Sequence, residues 1–124
     1  MPSNLFIIGL GLIGGSLGLA LRGTPMVTQV AGMDSDPETV RKALQIGAID
    51  VSRSLSAGAA QADVIIICTP LSAYPGIIER IKPHLKAGCI VSDVGSTKQT
   101  VMQAFQELPP HIWGIGGHPT AGAE

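Results

Sequence analysis

Short apolar runs and stretches with apolar residues every three or four positions alternate from one end of the chain to the other. Runs at 5–8, 29–33, 64–68, 89–94 and 112–115 read as strands, and 64–68, apolar throughout, has the make-up of a strand buried on both faces. A shorter strand is expected at 50–51. Between them, helices are predicted at 12–21, 37–46, 74–81 and 97–108. Their punctuation agrees: Gly47 stands where a C-terminal cap belongs, Pro75 fits only a first turn, and Pro109-Pro110 forces a stop. A Ser/Ala/Gly-rich stretch before residue 64 reads as a connection. Strand and helix in alternation imply an α/β protein, a doubly wound parallel sheet in the order 3-2-1-4-5-6.

Bulk properties narrow this further. At 124 residues the chain is one domain, residues 1–124, with a single core that buries about two-thirds of its unfolded surface. Hydrophobic residues make up 45% but aromatic ones only 3%, so aliphatic side chains fill the core. Charged residues are 14%, low enough to expect some apolar surface reserved for another domain or subunit. The net charge of −1 and scattered basic residues leave no footprint for nucleic acid or an anionic membrane. The longest apolar runs are too short to span a bilayer, and no basic segment precedes a cleavable one. Cys68 and Cys89 fall at opposite ends of neighbouring parallel strands, roughly 15 Å apart at about 3.3 Å per residue. They are therefore expected as buried thiols in a reducing, cytoplasmic compartment.

The first strand runs into Gly9-Leu10-Gly11-Leu12-Ile13-Gly14. Glycines at this spacing permit a tight strand-to-helix turn, a close approach of backbone to a pyrophosphate, and close helix–sheet contact. The helix start then offers unpaired N–H groups and a partial positive charge to the phosphates. Asp34 ends the second strand 20 residues past Gly14, where an acid can hold the ribose hydroxyls. Asp34 could equally serve as an N-cap or turn residue ahead of Pro37. A carboxylate here accepts from a ribose diol and repels a 2′-phosphate, and no arginine follows before Arg41, so NAD is expected over NADP. In such a Rossmann fold, ligands bind at the carboxyl ends of the strands. The residues there are Gly9–Gly14, Asp34-Ser35, Cys68-Thr69-Pro70, Gly95 to Lys98, and Gly116-Gly117-His118-Pro119.

Among the polar residues at that end, Ser96 can cap the last helix, with Gln99 completing a capping box, or act on substrate. Lys98 in the same first turn reads as solvated or phosphate-facing. His118 follows two glycines and precedes a proline that keeps its backbone extended, which suits a proton acceptor for an alcohol being oxidised or a structural histidine. His84 and His111 read as surface residues. No grouping shows metal-ligand spacing, and no G-x-S-x-G elbow is present.

Together with the motifs Gly9 to Ser16, Asp34, Cys68-Thr69-Pro70, Asp93-Val94-Gly95-Ser96-Thr97-Lys98 and Gly116 to Glu124, the whole chain resembles the prephenate/arogenate dehydrogenases of tyrosine biosynthesis. Thr120 departs mildly from the family's usual methionine or isoleucine. The resemblance implies an NAD-dependent oxidative decarboxylation, in which hydride leaves ring C4 of a cyclohexadienol, the 4-hydroxyl loses its proton and the ring carboxylate departs as carbon dioxide. It implies that His118 accepts that proton and that Ser96 hydrogen-bonds the same hydroxyl. Gly9, Gly11, Leu12, Ile13, Gly14, Asp34, Ser35, Cys68, Thr69, Pro70 and Gly95 are the expected cofactor-binding residues. It also implies a C-terminal, mostly helical domain, absent from these 124 residues, that dimerises and clamps the substrate's carboxylates. The chain alone is thus expected to bind NAD and to turn over little substrate. Two rivals remain: a β-hydroxyacid dehydrogenase or imine reductase of similar plan, and a non-catalytic dinucleotide-binding module.

Overall fold

A computed structural model describes residues 3–93 and 113–115. Six parallel strands form one sheet in the order β3-β2-β1-β4-β5-β6, as the alternation predicts. They are β1 (Ser3–Ile8), β2 (Val27–Met33), β3 (Val51–Ser52), β4 (Val64–Ile67), β5 (Ile90–Asp93) and β6 (Trp113–Ile115). The central strand β1 pairs Leu5–Ile8 with Val30–Met33 on one side and with Val64–Ile67 on the other. Strand order reverses between β1 and β4, which places the ends of these two strands on either side of a crevice. The expected helix at 97–108 lies outside the described residues.

Period-two alternation along β1 feeds two apolar layers. Phe6 and Ile8 face one layer with Ile65, Ile67, Tyr74, Ile78 and Val91. Leu5 and Ile7 face the other with Val30, Ala43 and Ile49. Helices α1 (Leu12–Leu21) and α2 (Pro37–Ile46) have the boundaries their patterns predict. Asp36, rather than Asp34, caps α2: its side chain accepts the Glu38 N–H at 3.0 Å, ahead of Pro37 in the first turn. Gly47 closes α2 with φ +82°, a left-handed conformation that suits glycine.

The Ser/Ala/Gly-rich stretch expected as a connection contains a helix, α3 (Leu55–Gln61). Ser54 caps it, accepting the Ala57 N–H at 3.3 Å. Gly58 in its middle lies flat against the Phe6 ring, where a Cβ would collide with ring carbons. Close approach to the sheet outweighs the weak helix propensity of glycine and serine. Helix α4 (Tyr74–Ile81) follows β4 as expected, with Pro75 in its first turn.

Among the described residues, no helix is long and apolar enough to cross a membrane. Cys89 is buried ahead of β5, Cys68 is half-buried after β4, and both are free thiols. The turn at 82–88 is anchored as well as solvated: Leu85 is buried, and Lys86 pairs with Asp63 at 2.8 Å.

Candidate cofactor-binding site

The glycine turn is built by three different constraints. Gly9 has φ +98°, and a side chain there would press on the Cys68 carbonyl and the Thr69 side chain, so only glycine lets β1 end against β4. A Cβ on Gly14 would collide with the Gly9 carbonyl oxygen, which identifies Gly14 as the residue that lets α1 close onto the turn. At Gly11, by contrast, a Cβ would meet no protein atom within 4 Å. The fold therefore does not require glycine there, and the backbone is open to a close approach from outside. Gly11 is also the N-cap of α1, and no side-chain hydrogen bond caps this end. The first-turn N–H groups remain available to an anion.

Asp34 ends β2 beside this turn. One carboxylate oxygen accepts the Leu10 N–H at 2.8 Å and the other accepts the Asp36 N–H at 2.9 Å. The carboxylate thereby joins the glycine turn to the tip of β2 and makes a local turn ahead of α2, while keeping lone pairs for further donors. Arg41, the first arginine after it, is held by Glu38, with Nε to Oε2 at 2.7 Å, and by Gln45 at 3.3 Å.

A cavity of about 420 Å³ opens at these strand ends. Gly9, Gly11, Asp34, Ser35, Cys68, Thr69 and Pro70 line it, which brings together seven of the expected cofactor-binding residues. Leu12, Ile13 and Gly14 do not line it. Leu12 and Ile13 are exposed in the first turn of α1, and Gly14 is buried beneath the turn. Gly95, Ser96 and His118 lie outside the described residues. Six wall residues escaped the sequence reading: Ile8, Met33, Leu55, Ala73, Ile77 and Arg80. The four- and three-residue spacing of Ala73, Ile77 and Arg80 marks one helix face. Which face meets the cavity depends on how α4 docks.

The Thr69 hydroxyl oxygen is buried and has no hydrogen-bond partner among the described residues. A buried polar atom without a partner costs about 1–3 kcal/mol, so one at a cavity wall is suited to a polar ligand. Beside it, burial and then the Asp93 carboxylate push the Cys68 thiol up to about 11, so it is neutral near pH 7. Asp93 ends β5 and is itself buried, with the Tyr74 hydroxyl 3.4 Å from its carboxylate and 3.2 Å from the Ile67 carbonyl.

The chain matches the family model described as prephenate dehydrogenase, nucleotide-binding domain, over residues 17–124. The prephenate dehydrogenase of Bacillus subtilis (strain 168) is 36% identical across 99% of this chain. The chain belongs to the prephenate dehydrogenase family. It corresponds to the nucleotide-binding domain and spans 34% of the length of the B. subtilis protein. Among solved structures of this family, prephenate dehydrogenase from A. aeolicus in complex with hydroxyphenyl propionate and NAD+ superposes with a TM-score of 0.83 at 30% identity. That match covers 100% of this chain and 43% of the A. aeolicus chain. Arogenate dehydrogenase from Synechocystis superposes with a TM-score of 0.78 at 33% identity, covering 94% of this chain and 40% of its own.

Proposed function

We propose that this chain is the NAD-binding domain of an enzyme that oxidatively decarboxylates prephenate or arogenate in tyrosine biosynthesis. The observation that carries the reading is the combined cradle: an uncapped α1 start at open Gly11, the Asp34 carboxylate and the orphaned Thr69 hydroxyl around one cavity. These residues fit the group. The α1 N–H groups, with Leu12 and Ile13 in that first turn, hold the pyrophosphate, and Gly11 lets it approach. Asp34 and Ser35 receive the adenosine ribose, Cys68, Thr69 and Pro70 line the β4 side, and Gly95, outside the described residues, is a further cofactor contact of this reading. NAD is preferred because Asp34 repels a 2′-phosphate and Arg41 is already held by Glu38.

When bound, NAD supplies the hydride acceptor. The chain's own chemistry is proton transfer: His118 accepts the proton of the substrate's 4-hydroxyl, and Ser96 hydrogen-bonds that hydroxyl and helps orient His118 or the nicotinamide. Loss of the ring carboxylate as carbon dioxide then completes aromatisation. Residues 1–124 form one dinucleotide-binding domain of a cytoplasmic protein, and a further helical domain clamps the small-molecule substrate and makes the homodimer. Low charge content and the exposed Leu12, Ile13 and Leu19 on α1 suit a domain with such a neighbour.

The test is catalytic. In the whole protein, His118→Asn is expected to lower kcat for prephenate or arogenate by about 100-fold or more while NAD affinity is kept. Unchanged turnover would contradict the assigned base.

A further inference from the structure

The chain has four arginines, all among the described residues. Three are engaged: Arg22 with Asp50 at 2.7 Å, Arg41 with Glu38, and Arg53 with Gln29 at 3.2 Å. Arg80 makes no hydrogen bond or ion pair among the described residues, although it lines the cavity. It lies one helical turn beyond Ile77 on the cavity face of α4, and Met33 and Leu55 contribute apolar walls to the same space. An unpaired guanidinium beside aliphatic walls does not make a phosphate clamp, because the nearby Asp34 carboxylate opposes a second anion. It does match a flat, electron-rich ring: guanidinium groups stack on aromatic faces, and methionine sulfur and aliphatic side chains pack against them.

We infer that Arg80 is an adenine-binding residue, its guanidinium covering the adenine ring while Met33, Leu55 and Ile77 wall the slot in which that ring lies. This rests on the NAD reading above and assigns its adenine end. The glycine turn then receives the pyrophosphate, Asp34 the ribose and α4 the base, three consecutive parts of one ligand around the ends of the neighbouring strands β2, β1 and β4. Because Arg80 is exposed and touches no partner group among the described residues, its replacement leaves folding intact.

Calorimetric titration of the 124-residue chain and of its Arg80→Ala and Arg80→Lys variants with NAD, ADP-ribose, AMP, nicotinamide mononucleotide and NADP tests this. Arg80→Ala is expected to weaken NAD, ADP-ribose and AMP by about tenfold each and to leave nicotinamide mononucleotide unchanged. Arg80→Lys is expected to recover only part of the loss, since an ammonium stacks less well than a planar guanidinium. Unchanged affinities in Arg80→Ala would overturn the inference while leaving the NAD reading standing. A loss confined to NADP would overturn it in favour of a 2′-phosphate contact. A wild-type chain that is folded and takes up none of the adenine ligands would overturn both.

Discussion

At Asp34 a single carboxylate is asked to hold the protein together and to meet the ligand. Its bonds to the Leu10 and Asp36 N–H groups fix its orientation before any cofactor arrives. Asp34→Ala should therefore do two things: lower stability by about 2 kcal/mol, since charge-assisted hydrogen bonds are lost, and narrow the preference for NAD over NADP. Paired denaturation and titration measurements check both, and undiminished discrimination would contradict the ribose role. Cys68 offers a second residue-scale test. With its thiol raised to about 11 by burial and by Asp93, its thiolate fraction at pH 8 falls far below that of an ordinary cysteine. Iodoacetamide labelling of Cys68, followed by peptide mass spectrometry, is expected to run about 100-fold slower than for a free thiol. Asp34 was legible because motif spacing and an acid at a strand tip are one-dimensional signals. Arg80 was not, because nothing local distinguishes a cavity-facing arginine from a solvated one.

At the scale of elements, α1 shows why glycines that look alike in sequence differ in role. The helix turns Gly14, Gly15 and Gly18 toward the sheet and leaves Leu12, Ile13 and Leu19 exposed, close to the reverse of an ordinary amphipathic helix. Gly14→Ala is expected to destabilise the domain by at least about 2 kcal/mol, since its Cβ has nowhere to go. Gly11→Ala should fold with near-native stability yet weaken NAD by about 10- to 100-fold. Urea denaturation and titration of the two variants separate the cases, and equal stability losses would contradict the division. The boundaries of α2 and α4 could be read in advance because prolines in their first turns and Gly47 mark them, and the start of α1 because the glycine motif precedes it. Helix α3 could not: its Ser, Ala and Gly residues carry no apolar stripe, and the helix exists because Gly58 fits against Phe6, a contact between distant parts of the chain.

Across the whole molecule, the two ends of the sheet do different work. At the amino end, Asp63 accepts the Asn4 N–H at 2.7 Å and pairs with Lys86, tying β1 to the turn before β5. Lys86 first, and then the Asn4 N–H, hold the Asp63 carboxyl below the usual range. A lowered folded value means that this stabilisation is complete above the ordinary carboxylate value of about 3.9 and is lost as pH falls through the folded value. The gap in urea midpoint between wild type and Asp63→Asn is expected to be present at pH 7 and to close in acid below that value. At the carboxyl end, strand order reverses at β1 and β4, and the cradle gathers there because the topology leaves a crevice. That plan was readable from the alternation of strands and helices, whereas the cavity's apolar wall required knowing how α3 and α4 lie on the sheet. The central claim is that this cradle binds NAD, and calorimetric titration of the 124-residue chain with NAD and then NADP tests it most directly. Saturable binding with a clear preference for NAD is the expected result; a folded chain that binds neither dinucleotide, or that prefers NADP, would contradict it.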